Sequence, residues 1–176
     1  MATQATQGFL ARVAGKTKQL FGLAVSAGAA DAGKLVATDS AGKLDLSLRP
    51  AGLGANTTTA LASEALGAGK FVSFYSNAGV LNVRLADNSN ARQADGYVKE
   101  AVLNAAVATV YPLDTTNSAL TGLTPGGRYW LGTAGGVIAA ALDATETANA
   151  GKICQELGVA KSATELVTDD LGHVVL

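Results

Sequence analysis

The sequence predicts an all-β protein, a small β-barrel or β-sandwich preceded by an extended N-terminal arm. Three observations carry that prediction. From Thr57 onward, turn signals recur about every 8–12 residues with short apolar runs between them, the spacing of a sandwich or barrel. The runs alternate: Leu81, Val83 and Leu85 are interleaved with Asn82 and Arg84, giving one buried and one wet face. The composition is turn-rich and thin-cored, with 21 glycines and 48% hydrophobic residues but only 5% aromatics.

Residues 1–32 read as the arm. Phe9, Leu10, Val13, Leu20, Phe21, Leu23 and Val25 are scattered among Ala, Gln, Thr and Gly. Phe9, Val13 and Leu20 fall on one helical face, but Gly8, Gly15 and Gly22 oppose a long helix, so the arm is expected to be extended with at most one helical turn. Such an arm cannot bury its own hydrophobes and is expected to pack on something else. Residues 33–56 read as a β-hairpin and linker. Residues 35–38 (LVAT) and 44–48 (LDLSL) are expected as strands about the Asp39-Ser40-Ala41-Gly42 turn, stopped by Pro50, Gly52 and Gly54. Leu48 and Leu53 are its apolar anchors.

Residues 57–176 form the barrel or sandwich domain. Residues 61–66 fit a strand or a helical turn. Residues 70–75 and 80–86 make the clearest hairpin, closed by Ser76-Asn77-Ala78-Gly79. After a polar loop from Asp87 to Gly96, strands are expected at 97–102 and 107–111. Thr124-Pro125-Gly126-Gly127 is a strong turn, and 128–132 pairs with 137–142 across Ala134-Gly135-Gly136. Residues 144–150 read as a loop or a short helical turn. Strands follow at 153–160 and 165–167, with a short one at 173–176. Tyr129 and Trp130 are strand neighbours, so one faces the core and the other outward. Trp130 is the expected core anchor; Tyr129 with Arg128 is the alternative, an outward contact of interface type.

A chain of 176 residues suits one domain, or one domain plus an arm. At 15% charged residues it has few solvated faces, and exposed apolar surface of that kind marks a partner. The net charge of −1 exerts no overall pull toward nucleic acid. Its distribution is uneven. Arg12, Lys16 and Lys18 precede the first acid, Asp31, whereas the last third carries Asp143, Glu146, Glu156, Glu165, Asp169 and Asp170. The single Cys154 excludes an internal disulfide framework and fits a buried thiol in a reducing cytoplasm. Arg12 and Lys16 interrupt the first apolar stretch, so no leader is expected, and no run of about 18 apolar residues predicts a membrane-spanning helix.

The residues that do chemistry are sparse. His173 is the only histidine and Cys154 the only cysteine, too few donors for a transition-metal site built from this chain alone. A Ser-His-Asp triad would have to use His173, and no G-x-S-x-G occurs. Gly28–Lys34 has the spacing of a phosphate loop, but Leu35 stands where a hydroxyl is needed and a β-prone run follows instead of a helix. Asp169-Asp170 are strand neighbours and point apart, so they do not make a general acid and base. The expectation is a protein that binds, with no cofactor and no enzymatic activity.

The segment GKLVATDSAGKLDLSLRPAGLG (33–54), then GYVKEAV, TVYPL, LTGLTPGGRYWLGTAGGV and KICQELGVAKSATEL, in that order, resembles the β-barrel of phage capsid decoration, or cement, proteins. The resemblance spans Gly33 to Val167. It implies a virion structural protein on the capsid exterior, assembled in the host cytoplasm. It further implies a homotrimer at a local three-fold point that stabilises the shell by bridging neighbouring major capsid protein subunits, with neither nucleic acid nor membrane as partner. The candidate interface comprises Phe9, Leu10, Arg12, Lys16, Lys18 and Phe21 of the arm, Leu48, Arg49 and Leu53 of the linker, and Arg128 and Tyr129 of the domain. The alternative is a receptor-facing module of a phage head or tail fibre, against which the lack of a collagen-like or coiled-coil repeat counts.

Overall fold

The computed structural model describes residues 8–40, 42–48 and 56–176. The chain divides into two units, Met1–Ala55 and Asn56–Leu176.

In the first unit, β1 (Gly8–Val13) and β2 (Lys16–Phe21) pair antiparallel over their whole length, from Gly8 with Phe21 to Val13 with Lys16. The chain reverses at Ala14-Gly15, whose φ angles of 51° and 78° are both left-handed, the pair of conformations that matches the twist of a two-residue hairpin. The helical turn expected in the arm is therefore replaced by a hairpin. Glycine at 8 and 15 weakens a helix, and reversal at Gly15 lets the backbone groups find partners across a ladder. Beyond β2, Leu23 bridges Val36 in parallel, its N–H donating to the Leu35 carbonyl at 2.8 Å and its carbonyl accepting from Ala37 N–H at 2.9 Å.

The second hairpin expected in this unit does not form. Asp39 and Lys43 do meet: Asp39 N–H donates to the Lys43 carbonyl, and the Asp39 carboxylate accepts from Lys43 N–H, both at 2.8 Å. Leu46–Leu48, however, is a 3-10 turn. The Asp45 carboxylate accepts from both the N–H and the hydroxyl of Ser47, at 2.9 and 2.6 Å, and such local bonds compete with a strand ladder.

The second unit opens with β3 (Thr58–Ala62), β4 (Phe71–Asn77), β5 (Val80–Leu85), β6 (Gly96–Tyr97) and β7 (Val107–Val110). They form one sheet in the order β6-β4-β5-β3-β7, antiparallel except between β3 and β5. The β4–β5 hairpin is the one that the alternation predicts. Its two edges meet: Tyr97 and Tyr111, the residue after β7, exchange both backbone hydrogen bonds at 2.9 Å, so the sheet nearly closes into a barrel. Inside lie Ala60, Ala62, Leu66, Val72, Val83, Val98, Ala108 and Val110. Small side chains fill a barrel this narrow, which accounts for a core with few aromatics.

The remaining strands are β8 (Thr116–Asn117), β9 (Arg128–Leu131), β10 (Val137–Ile138), β11 (Ile153–Cys154), β12 (Glu156–Ala160), β13 (Leu166–Thr168) and β14 (Val174–Val175). Five of them make an antiparallel sheet, β10-β9-β12-β13-β8, while β11 pairs with β14. A second cluster draws on both large sheets: Phe71 and Tyr97 of the barrel meet Tyr129, Leu131, Leu157 and Leu166. The protein is thus all-β, and its second unit is a nearly closed barrel with a second sheet packed on it. The strand expected at 97–102 shrinks to Gly96–Tyr97, with Val102 bridging Leu66 alone. The register of β12 on β9 shifts between Glu156 and Gly158. Gly158 sits at this bulge with φ of 139°, and a Cβ there would lie 2.0 Å from the Val167 carbonyl oxygen. No other residue type fits.

Candidate functional site

The first unit gathers the arm's candidate contact residues on one hairpin. The register places Leu10 opposite Gln19, Arg12 opposite Thr17 and Gly8 opposite Phe21 on one face. Ala11 opposite Lys18 and Val13 opposite Lys16 share the other; Phe9 pairs with Leu20. Leu10 is 75% exposed and Phe21 55%. Arg12, Lys16 and Lys18 are exposed as well, and none of them makes an ion pair among the described residues. Among the residues of this unit whose burial is described, none is fully buried. Its order beyond the hairpin comes from local polar bonds. Lys34 Nζ lies 2.6 Å from Asp31 and, with the Ala27 N–H, holds the Asp31 carboxyl below the usual carboxylate range. Leu48 is half-buried in the 3-10 turn. Arg49 and Leu53 lie outside the described residues.

Arg128 and Tyr129 belong to the second unit, on β9. Tyr129 is 6% exposed and its hydroxyl oxygen accepts from the Thr124 N–H at 2.8 Å, so it is a core residue and not an outward contact. Trp130, the expected core anchor, is the outward neighbour and half-buried. The reason is parity. Tyr129 shares a face with Leu131, and Trp130 shares the other with Arg128; burying Trp130 would have buried a guanidinium. Arg128 pairs instead with Glu156 across the strands.

That outer face holds residues that sequence reasoning missed. Ile138, Trp130 and Glu156 lie abreast on β10, β9 and β12. Arg128, Val159, Val167 and Thr116 form the next row, across β9, β12, β13 and β8. Val159 and Val167 are 37% and 47% exposed. The signal for them was the alternation itself, read through Arg128 instead of through Trp130.

A shallow groove of about 350 Å³ lies beside β7, lined by Lys99, Leu103, Val107, Thr109 and Tyr111 among others. Lys99 Nζ stands 4.2 Å from the centre of the Tyr111 ring, a cation–π contact that occupies the charge. Among the described residues no three His, Cys, Asp or Glu side chains come together as metal ligands. His173 is exposed and Cys154 half-buried. Asp143 and Glu146 are both exposed, and Asp143 is engaged by the N–H and hydroxyl of Thr145. Among the described residues no helix is long and apolar enough to cross a membrane. What the geometry offers is contact surface: an apolar and basic hairpin on one unit, and a Trp-bearing sheet face on the other.

A scan of protein-family models finds no match to this chain, and a search of curated proteins finds none either. Among solved structures, the chain is similar to the N base of the head fibre protein gp8.5 of bacteriophage phi29, at 16% identity and a TM-score of 0.41, covering 64% of this chain and 92% of that one.

Proposed function

We propose that this chain is a virion structural protein that decorates the outside of a phage capsid and stabilises it by binding across neighbouring major capsid protein subunits. One observation carries the reading. The β1–β2 hairpin carries surface suited to contact: Leu10 and Phe21 are exposed on the face that bears Arg12, while Lys16 and Lys18 are exposed on the other, and no residue of the unit whose burial is described is buried within it. An isolated two-stranded hairpin is marginal in water, so the unit gains stability by docking on a larger surface. The order of the sequence segments between Gly33 and Val167, which resembles that of cement proteins, supports the identity of that surface. Several such contacts made at once by one bound protein, spread over neighbouring subunits, turn modest affinity into firm retention.

The test is co-sedimentation of the full chain with empty phage capsid shells. Wild-type protein is expected to pellet with shells. Leu10→Asp with Phe21→Asp is expected to weaken pelleting at least tenfold while leaving the barrel folded, since both side chains are exposed. Equal pelleting of the variant would overturn the role of the hairpin. A wild type that stays in the supernatant would overturn the capsid reading and leave the fibre alternative.

A further inference from the structure

We infer that the outer face of the second sheet pairs with the same face of a second copy about a two-fold axis. The inference concerns a different surface from the hairpin, goes beyond capsid binding, and sets a two-fold pair in place of the homotrimer that the resemblance to cement proteins implies. Its starting point is the register: Trp130 stands opposite Glu156, and Arg128 opposite Val159. These four side chains make a quadrilateral, with the two charges on one diagonal and Trp130 and Val159 on the other. A two-fold axis in the plane of the contact, along the Trp130–Val159 diagonal, exchanges the charged corners. Each Arg128 then lies over the other copy's Glu156, and each Trp130 over its mate. The face is complementary to itself in this one orientation, which is the condition for an isologous contact.

The chemistry of the face fits that occupant. Arg128 keeps 62% of its side chain exposed while paired with Glu156, and a guanidinium has five N–H donors, more than one carboxylate can use. Trp and Arg are the side chains that most often carry interface energy. Ile138 and Val167 extend the apolar strip on either side, and two sheets packing face to face bury such strips between them. A partner of single charge sign would leave either Arg128 or Glu156 facing a like charge; a second copy answers both.

Trp130 is the only tryptophan in the chain, so its fluorescence reports this face alone. The experiment uses the full chain without shells, and its failure is therefore separate from failure of the capsid reading. Light scattering is expected to give the mass of two chains, and Trp130 emission is expected to shift to longer wavelength on dilution as the dimer parts. Arg128→Glu or Glu156→Arg alone sets like charges against each other twice per contact and is expected to weaken association about a hundredfold. Mixing the two variants is expected to restore the two-chain mass, because each supplies the charge that the other lacks; neither variant has the pair within its own chain, so rescue cannot come from folding. A mass of one chain or of three, emission that does not change with dilution, or failure of the mixture to associate would overturn the inference.

Discussion

The side chain of Gln155 ties two distant parts of the second unit together, and its removal tests how the fold is held. Gln155 is 2% exposed. Its Oε1 accepts from the Ala94 N–H at 2.7 Å and its Nε2 donates to the Ala94 carbonyl at 2.9 Å. Ala94 itself is 3% exposed, so water cannot replace either bond. The pair fastens the polar loop between β5 and β6 to the second sheet. Gln155→Ala leaves a buried N–H and a buried C=O unpaired. At about 1–3 kcal/mol for each, with some relaxation, the expected loss is about 2–4 kcal/mol, or about 8–15 °C in Tm for a unit of this size. Urea unfolding followed by far-UV circular dichroism, together with a thermal scan, measures it. Gln155→Glu adds a sign check. As the neutral acid, Glu at this position can still donate to the Ala94 carbonyl, but its ionised form cannot. Its folded pKa is raised, so the variant is expected to be close to wild type below about pH 4 and to lose stability as the pH rises. A loss under about 1 kcal/mol for Gln155→Ala would show that the loop is held elsewhere and refute the reasoning.

Other outcomes follow from the same geometry. Gly158→Ala forces a Cβ against the Val167 carbonyl at a left-handed backbone position and is expected to cost about 2–4 kcal/mol, measured by denaturant titration. Tyr129→Phe leaves the Thr124 N–H without its acceptor and is expected to cost about 1 kcal/mol, with no effect on any contact the protein makes outside itself. Burial raises the Asp87 carboxyl, but the Ser89 hydroxyl and the N–H groups of Ala134 and Ser89 outweigh it, so the net shift is downward. A depressed folded pKa means that the stabilisation is present above the ordinary carboxylate range and is lost as the pH falls through it. Asp87→Asn is therefore expected to flatten the fall in stability below about pH 4, read from thermal scans across acidic buffers.

Much of the second unit was legible in the sequence because its strands alternate and its turns are marked. The β4–β5 and β9–β10 hairpins carry both signals, and both form, although β10 is only Val137–Ile138 where a strand over 137–142 was expected. β8 was not legible: Thr116–Asn117 is short and polar, and Asn117 is buried only because its amide donates to the Gly69 carbonyl at 2.9 Å, a partner far away in the chain. In the first unit, Ala14-Gly15 was the marker of a hairpin, but the scattered hydrophobes on either side read equally well with helical spacing. Leu46–Leu48 was misread as a strand because LDLSL alternates, whereas the Asp45 carboxylate decides its conformation. The candidate contact residues divide the same way. Leu10 and Phe21 lie exposed on the hairpin. Tyr129 was misplaced because aromatic size was weighed above the parity that ties Trp130 to Arg128.

The central claim is that the hairpin meets a partner surface on the capsid. Hydrogen exchange of the full chain, followed by mass spectrometry with and without empty phage capsid shells, tests it most directly. Free in solution, the amides of residues 8–21 are expected to exchange quickly and those of the barrel slowly. On shells, the account predicts that protection rises in residues 8–21. Protein that binds shells while residues 8–21 exchange as fast as before would contradict it.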